Sequence, residues 1–316
     1  MVLFVSLLIS PHVVCAADQT TLKASCFLPK NHPVAVKVFA WIDMMNEGLK
    51  GDVAIKYVGG PEVVPVFEQI EAVKKGITHV SFTAGAHYAT QLPAANSLHL
   101  SRLTAWGERE SGYYDLMVEE HEKLGVRYLG RWYYGPFYVW LKEPVKTPDD
   151  LKGKRLRTHP LYDRFYKSLG IAGVTIQPTE VYTSLERGVV DGTSWPIQGP
   201  REQGWTRSLK YIINHPFYGS NNTVIVMNLD AWNKLPDDVK SKIETMTASF
   251  EREMVAYYQE QIKKEWGLLN KDGIETITFS ESDAKRFLDL AYDVEWAQLE
   301  KTIPELTPKL RQTSGN

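Results

Sequence analysis

Residues 151–160 read L-K-G-K-R-L-R-T-H-P, and residues 179–196 read T-E-V-Y-T-S-L-E-R-G-V-V-D-G-T-S-W-P. The first segment predicts a short basic strand that carries Arg157 into a cleft. The second predicts a helix and then a strand that carries Trp195. A guanidinium fixed beside an aromatic ring can hold a small organic anion. This stretch therefore predicts a β-α-β unit, and whether it also forms a ligand site depends on the rest of the chain.

The N-terminal half predicts a second series of the same kind. Strands are expected over residues 22–27, 53–58 and 79–83, with amphipathic helices between them. This order is typical of a mostly parallel sheet with helices on both faces. Ligands bind such sheets beyond the carboxyl ends of the strands. Candidate ligand contacts at these ends are His32, Glu62, His87 and Tyr88.

Two segments are expected to connect the halves. Residues 126–141 form an apolar run interrupted by Gly135-Pro136, as in a strand that crosses from one lobe to another. Residues 222–227 predict the returning strand, and Asn221 and Asn222 are candidate ligand contacts beside it. An apolar stripe after Pro236 predicts a helix of about 34 residues, near 50 Å long, lying across both lobes.

Composition narrows the classes of protein. The chain has 316 residues, 43% of them apolar, and a formal net charge of −2, which argues against nucleic acid as a partner. The uncharged run over residues 2–15, followed by Ala16 and Ala17, predicts a signal peptide over residues 1–17, cleaved near these alanines, and export to the periplasm. Cys26 would then be the one remaining cysteine, which excludes an intramolecular disulfide.

Motifs of catalysis are absent from the sequence. There is no His-Glu-x-x-His, no paired Cys-x-x-Cys, no phosphate loop and no Gly-x-Ser-x-Gly. The sequence thus favours a binding protein without a cofactor or metal. An exported enzyme acting on a carboxylate and a sensor that presents its ligand to a membrane receptor are the alternatives.

The segments over residues 150–157 (D-L-K-G-K-R-L-R) and 180–192 (E-V-Y-T-S-L-E-R-G-V-V-D-G), with Pro196, resemble the solute-binding proteins of TRAP (tripartite ATP-independent periplasmic) transporters. The resemblance implies an α/β, two-lobe periplasmic-binding-protein fold (type II-like) with a long helix spanning both lobes. It implies lobe I over residues 18–134 and 224–262, lobe II over residues 135–223 and 263–316, and a ligand cleft between them. It also implies delivery of the ligand to membrane permease subunits.

In the family that this sequence resembles, an arginine at the position of Arg157 clamps the ligand carboxylate. Relatives that bind sialic acid or sugar acids often have asparagine at the position of Trp195, and a second arginine where Phe137 stands here. These departures favour a monocarboxylate with an apolar or aromatic body, such as a 2-oxo acid, a 2-hydroxy acid or an aromatic acid. A dicarboxylate or a sugar acid is the alternative ligand. The alternative role of Trp195 and Phe137 is that of core residues that do not contact the ligand.

Overall fold

The chain folds into two separate β-sheets with helices packed around them. A computed structural model describes residues 19–219 and 221–316. The signal peptide predicted over residues 1–17 lies outside the described residues. One sheet has five strands and the other has six, which confirms the predicted α/β class with two lobes.

The strands are short and mostly buried. In chain order they are β1 (Thr20–Cys26), β2 (Val53–Gly59), β3 (Val80–Ala84), β4 (Val126–Arg131), β5 (Phe137–Leu141), β6 (Arg155–Thr158), β7 (Ala172–Thr175), β8 (Gly192–Pro196), β9 (Tyr211–Ile213), β10 (Thr223–Asn228) and β11 (Glu275–Ile277).

The helices vary widely in length. They are α1 (Val36–Gly48), α2 (Gln69–Lys74), α3 (Ala105–Glu110), α4 (Tyr113–Lys123), α5 (Asp163–Ser168), α6 (Val181–Glu186), α7 (Leu229–Asn233), α8 (Asp237–Lys271), α9 (Glu281–Thr302) and α10 (Thr307–Thr313).

The first sheet has the strand order β2-β1-β3-β10-β4. β1 is parallel to β2 and β3, as expected for the predicted β-α-β-α-β series. β10 is antiparallel to both β3 and β4, and its first residue, Thr223, lies opposite Ala84 at the end of β3. The carboxyl ends of β1 and β3 and the amino end of β10 therefore share one edge of this sheet.

The second sheet has the order β11-β9-β5-β8-β6-β7. β6 is parallel to β7 and β8, whereas β5 is antiparallel to β8 and β9. Phe137, which begins β5, lies opposite Pro196 at the end of β8. This register brings the end of β6, the end of β8 and the beginning of β5 to one edge.

The chain passes between the sheets where the sequence predicts it. β4 belongs to the first sheet and β5 to the second, and the link between them contains Gly135 and Pro136. At the end of β4, the buried Arg131 donates to Glu108 Oε1 (2.7 Å) and to the backbone oxygen of Asn221 (2.7 Å). Arg131 thus joins the outgoing connection to the residues just before the returning strand β10.

Helix α8 has 35 residues and spans both sheets, as the sequence predicts. Trp41 of α1 donates its indole N–H to Thr247 (3.1 Å) near the first sheet. Towards the other end, the ring of Trp266 meets Tyr138 of β5 with centroids 5.5 Å apart. At about 1.5 Å per residue, the helix is long enough to bridge the two sheets.

The C-terminal helices pack against elements from both halves. Helix α9 contacts α5 and residues 93–97, and α10 contacts α4. Arg164 of α5 ion-pairs with the buried Glu295 of α9. The segment after β11, which we predict to belong to lobe II, therefore also packs beside the first sheet. The predicted lobe boundaries stay a prediction.

Candidate functional site

A cavity lies where the facing edges of the two sheets meet. The volume of the cavity that is open to the centre of a water-sized sphere is about 50 Å³. This is enough room for a few water molecules. Its walls come from both sheets and from the connections between them. The lining residues are Phe27, Leu28, Val34, Ala84, His87, Tyr133, Phe137, Arg157, His159, Leu161, Tyr162, Pro178, Trp195, Pro196, Asn221, Asn222 and Thr223.

Arg157 on β6 is the central polar residue of this cavity. Its side chain is buried, with 1% of its surface exposed. Nε donates to the backbone oxygen of Ile176 (2.9 Å), and Nη1 donates to the Tyr162 hydroxyl (2.5 Å). Nη2 has no hydrogen-bond partner among the described residues. Two of the three nitrogens thus fix the guanidinium, and the third is free to bind.

The described surroundings of Arg157 offer it no ion-pair partner. Within residues 19–219 and 221–316, no carboxylate forms an ion pair with it, and it is the one charged side chain that lines the cavity. By contrast, the buried Arg131 pairs with Glu108, and Arg109 pairs with Glu251 at 2.7 Å. Burying an unpaired charge costs several kcal/mol. An anion in the cavity would remove that cost.

Tyr162 holds Arg157 in place, a role that the sequence did not predict. Its hydroxyl accepts the bond from Arg157 and donates to the backbone oxygen of Ser194 (3.0 Å) on β8. Burial raises the pKa of this phenol, so it stays protonated and able to donate. Tyr162 lies five residues after Arg157, in the turn before α5, and this position carries no sequence signal for the role.

Arg155, two residues earlier on β6, has a different environment. It ion-pairs with Asp191 at 3.3 Å, and its side chain is 55% exposed. The structure therefore places Arg155 in a surface contact and Arg157 in the cavity.

Trp195 and Phe137 form an aromatic wall of the cavity. The Arg157 guanidinium carbon lies 5.5 Å from the centre of a Trp195 ring. Trp195 packs edge-on against Trp205, with centroids 5.1 Å apart, and its indole nitrogen has no partner among the described residues. The Phe137 ring lies 5.9 Å from that of Tyr162. Both residues are largely buried, so they serve the core and the cavity together.

Two histidines meet at the cavity from opposite sheets. His87 follows β3 and His159 follows β6, and their ring centroids are 5.2 Å apart. Phe67 packs against both rings, at 5.4 and 6.3 Å. Burial, with the nearby charge of Arg157, lowers the pKa of His87 to about 3. Burial, with the nearby His87 and the charge of Arg157, holds the pKa of His159 well below its usual range, so both rings are neutral at pH 7.

Asn221 and Asn222 lie beside the cavity just before β10. The Asn221 side chain accepts from the Thr223 N–H (3.1 Å), which shapes the turn into the strand. Asn222 accepts from the Gly85 N–H through its backbone (2.9 Å). Its side-chain nitrogen is buried and has no partner among the described residues, so it can donate to a ligand.

Three of the candidate residues do not line the cavity. Glu62 is exposed and caps its own turn by accepting from the Gly60 N–H (2.7 Å). Tyr88 is in the core, where its hydroxyl bonds to His121 (2.8 Å). His32 caps a short turn by accepting from the Val34 N–H, and its ring lies near that of Trp195, with centroids 6.1 Å apart. His32 thus supports the wall rather than forming it.

The part of the chain that the structure describes contains no cluster of His, Cys, Asp and Glu suited to a metal ion. Cys26 is a free, buried thiol, and burial raises its pKa to about 12. No helix among these residues has the length and apolarity needed to cross a membrane.

Comparison with known proteins identifies the family. The bacterial extracellular solute-binding proteins of family 7, the DctP family, match residues 24–301. The chain belongs to this family. Its members are the solute-binding proteins of TRAP transporters, so the predicted resemblance is confirmed, as is the prediction of a binding protein rather than an enzyme.

Several relatives of this DctP-family chain have named ligands. The monocarboxylate 2-oxoacid-binding periplasmic protein of Nostoc sp. is 21% identical over 74% of this chain and 66% of its own length, just under two thirds. The 2,3-diketo-L-gulonate-binding periplasmic protein of Escherichia coli is 25% identical over 81% of this chain and 79% of its own length.

Solved structures confirm the fold of this DctP-family chain. A Bordetella pertussis solute receptor that binds pyroglutamic acid superposes with a TM-score of 0.81 at 16% identity, over 94% of this chain and 100% of its own. A Desulfovibrio salexigens TRAP solute-binding protein with bound orotic acid gives 0.82 at 16% identity, over 94% and 98% of the two chains.

Proposed function

We propose that this protein binds a small monocarboxylate with an apolar or aromatic body, most directly a short 2-oxo or 2-hydroxy acid. The observation that carries the proposal is the buried guanidinium of Arg157, which has a free nitrogen and no carboxylate partner among the described residues. A carboxylate is the natural partner because the guanidinium is planar and always charged.

The cavity favours one carboxylate over two. Arg157 is the one charged side chain among the described lining residues, and His87 and His159 are neutral there. A second carboxylate would be buried without a cation, which costs several kcal/mol. This argues against a dicarboxylate.

The shape and lining of the cavity favour a small, largely apolar body. Phe27, Leu28, Phe137 and Trp195 supply apolar surface, and the volume open to the centre of a water-sized sphere is only about 50 Å³. A sugar acid needs a hydrogen bond for each of its hydroxyl groups, and unmade bonds in a buried site are costly. The 2-oxoacid named for the Nostoc relative and the pyroglutamic acid in the Bordetella structure agree with a small carboxylate.

We further propose that the protein is exported to the periplasm and delivers its ligand to TRAP permease subunits. The family supports this role, since its relatives include periplasmic binding proteins of TRAP systems. The sequence of residues 1–17 supports export.

A thermal-shift screen tests the ligand class. The probes are 2-oxobutanoate, lactate, benzoate, succinate and D-glucuronate, each at several concentrations. At a hundredfold excess over the dissociation constant, a ligand stabilises the native state by about 2.7 kcal/mol. We expect shifts from one or more of the first three acids. Shifts from succinate or D-glucuronate alone would contradict the proposal.

A further inference from the structure

We propose that His159 determines specificity by donating a hydrogen bond from Nε2 to a second, uncharged oxygen of the ligand. This inference rests on the proposed function and deepens it. It makes a 2-oxo or 2-hydroxy acid, rather than an unsubstituted acid, the preferred ligand.

The backbone places His159 next to the carboxylate clamp. His159 follows Thr158, the last residue of β6, and is two residues beyond Arg157. Side chains two residues apart in an extended chain project to the same side. Both residues line the same cavity. In a 2-oxo or 2-hydroxy acid, the second oxygen is attached to the carbon next to the carboxylate, so neighbouring donors suit this pair of groups.

A backbone contact determines which ring nitrogen of His159 carries the proton. Nδ1 of His159 accepts from the Leu161 N–H at 3.3 Å. An accepting nitrogen carries no proton, so the neutral ring is protonated at Nε2. Within the described residues, no hydrogen bond to Nε2 is present. The ring therefore offers one donor and no charge.

The ring is held in a fixed orientation. Phe67 stacks on it at an interplanar angle of 25°, and His87 meets it edge-on at 72°. Tyr162, which also positions Arg157, lies on a third side with centroids 6.1 Å apart. A donor fixed by packing loses little side-chain entropy when it binds.

The charge of the site agrees with this role. A protonated His159 would be a second cation beside Arg157 and would favour a dicarboxylate. Burial and the Arg157 charge hold its pKa well below the usual range, so at pH 7 it recognises a neutral oxygen instead. His159 is half-buried, and a ligand in the cavity would cover its Nε2–H. An analogue that lacks the second oxygen would then leave this donor unpaired, which gives selectivity.

Isothermal titration calorimetry with 2-oxobutanoate and butanoate tests the proposal. The wild type should prefer 2-oxobutanoate. The variant His159→Phe keeps an aromatic ring against Phe67 and removes the donor, so it should lower this preference by roughly tenfold, as expected for one buried hydrogen bond. His159→Gln retains an N–H donor and should keep more of the preference. His215→Phe is the matched control, since His215 stacks on Phe279 outside the cavity lining.

The outcomes separate this inference from the proposed function. If the wild type binds both acids equally, or if His159→Phe leaves the ratio of the two affinities unchanged, the inference is wrong while carboxylate binding stands. If the wild type binds neither these acids nor any monocarboxylate of the screen, the proposed function is wrong as well.

A spectroscopic measurement on the wild type does not depend on the folding of a variant. In ¹⁵N spectra of the imidazoles, His159 should show the Nε2–H tautomer, and its Nε2 signal should shift more with 2-oxobutanoate than with butanoate. An Nδ1–H tautomer in the complex would overturn the proposal.

Discussion

Replacing Arg157 by methionine tests the carboxylate clamp while keeping an apolar stem of similar length. Arg157 is 1% exposed, and Nε and Nη1 are already bound to Ile176 and Tyr162, which leaves Nη2 for the ligand. Removing one partner of a buried, hydrogen-bonded charge pair costs about 2–5 kcal/mol. Arg157→Met should therefore raise the dissociation constant for 2-oxobutanoate roughly thirtyfold to several thousandfold.

The assay is isothermal titration calorimetry at low and moderate salt, with Arg155→Met as the matched control. Arg155 lies on the same strand, but its contact with Asp191 is on the surface. The control should leave the affinity within about threefold, because exposed ion pairs contribute little. A change of less than about threefold in Arg157→Met, with the variant folded, would refute the reasoning.

Three further predictions concern the cavity wall, pH and the core. Trp195→Asn should weaken 2-oxobutanoate binding at least about tenfold, and Trp195→Phe should weaken it less, as measured by calorimetry. Burial lowers the pKa values of His32 and His121 to about 4. As the pH falls, these histidines therefore take up a proton in the unfolded chain before they do so in the folded one. The free energy of unfolding should be highest above pH 6.5 and should fall towards pH 4, by up to about 1.4 kcal/mol per pH unit for each histidine. A melting temperature that does not change with pH over this range would contradict the prediction. Arg131→Met leaves the buried Glu108 carboxylate without its partner and should lower the free energy of unfolding, measured in urea, by about 3–5 kcal/mol. Arg127 is partly exposed, so Arg127→Met should lower it by about 1 kcal/mol or less. Equal losses in the two variants would contradict the prediction.

The elements with strong periodicity were predictable from the sequence. The crossing at Gly135-Pro136 and the long helix α8 follow from an interrupted apolar run and from an uninterrupted stripe, which are local signals. Helices α3, α4 and α10 were not predicted. Their packing depends on residues far away in the sequence, such as Glu251, which ion-pairs with Arg109 of α3.

The candidate site was predictable only where a strand end determines it. Arg157 and Trp195 meet because the parallel strands β6 and β8 bring their carboxyl ends to one edge, and Phe137 joins them because it begins the antiparallel strand β5 at the same edge. Tyr88 also lies near a strand end, but its partner is His121, which is 33 residues away in sequence. Such a contact depends on tertiary packing that sequence spacing does not contain.

The roles of Tyr162 and His159 show what local sequence reasoning leaves out. Both lie in the turn after β6, and their roles depend on backbone contacts: the Ser194 oxygen for Tyr162 and the Leu161 N–H for His159. A turn whose geometry is unknown gives no direction for its side chains, so the sequence indicated the strand and its arginine but not the groups around it.

A crystal structure of the protein with bound 2-oxobutanoate is the most direct test of the central claim. We predict that a carboxylate oxygen lies within about 2.7–3.0 Å of Arg157 Nη2. We also predict that the alkyl group lies against the wall formed by Trp195 and Phe137. A ligand whose carboxylate is bound elsewhere, with Nη2 left unpaired, would contradict the account.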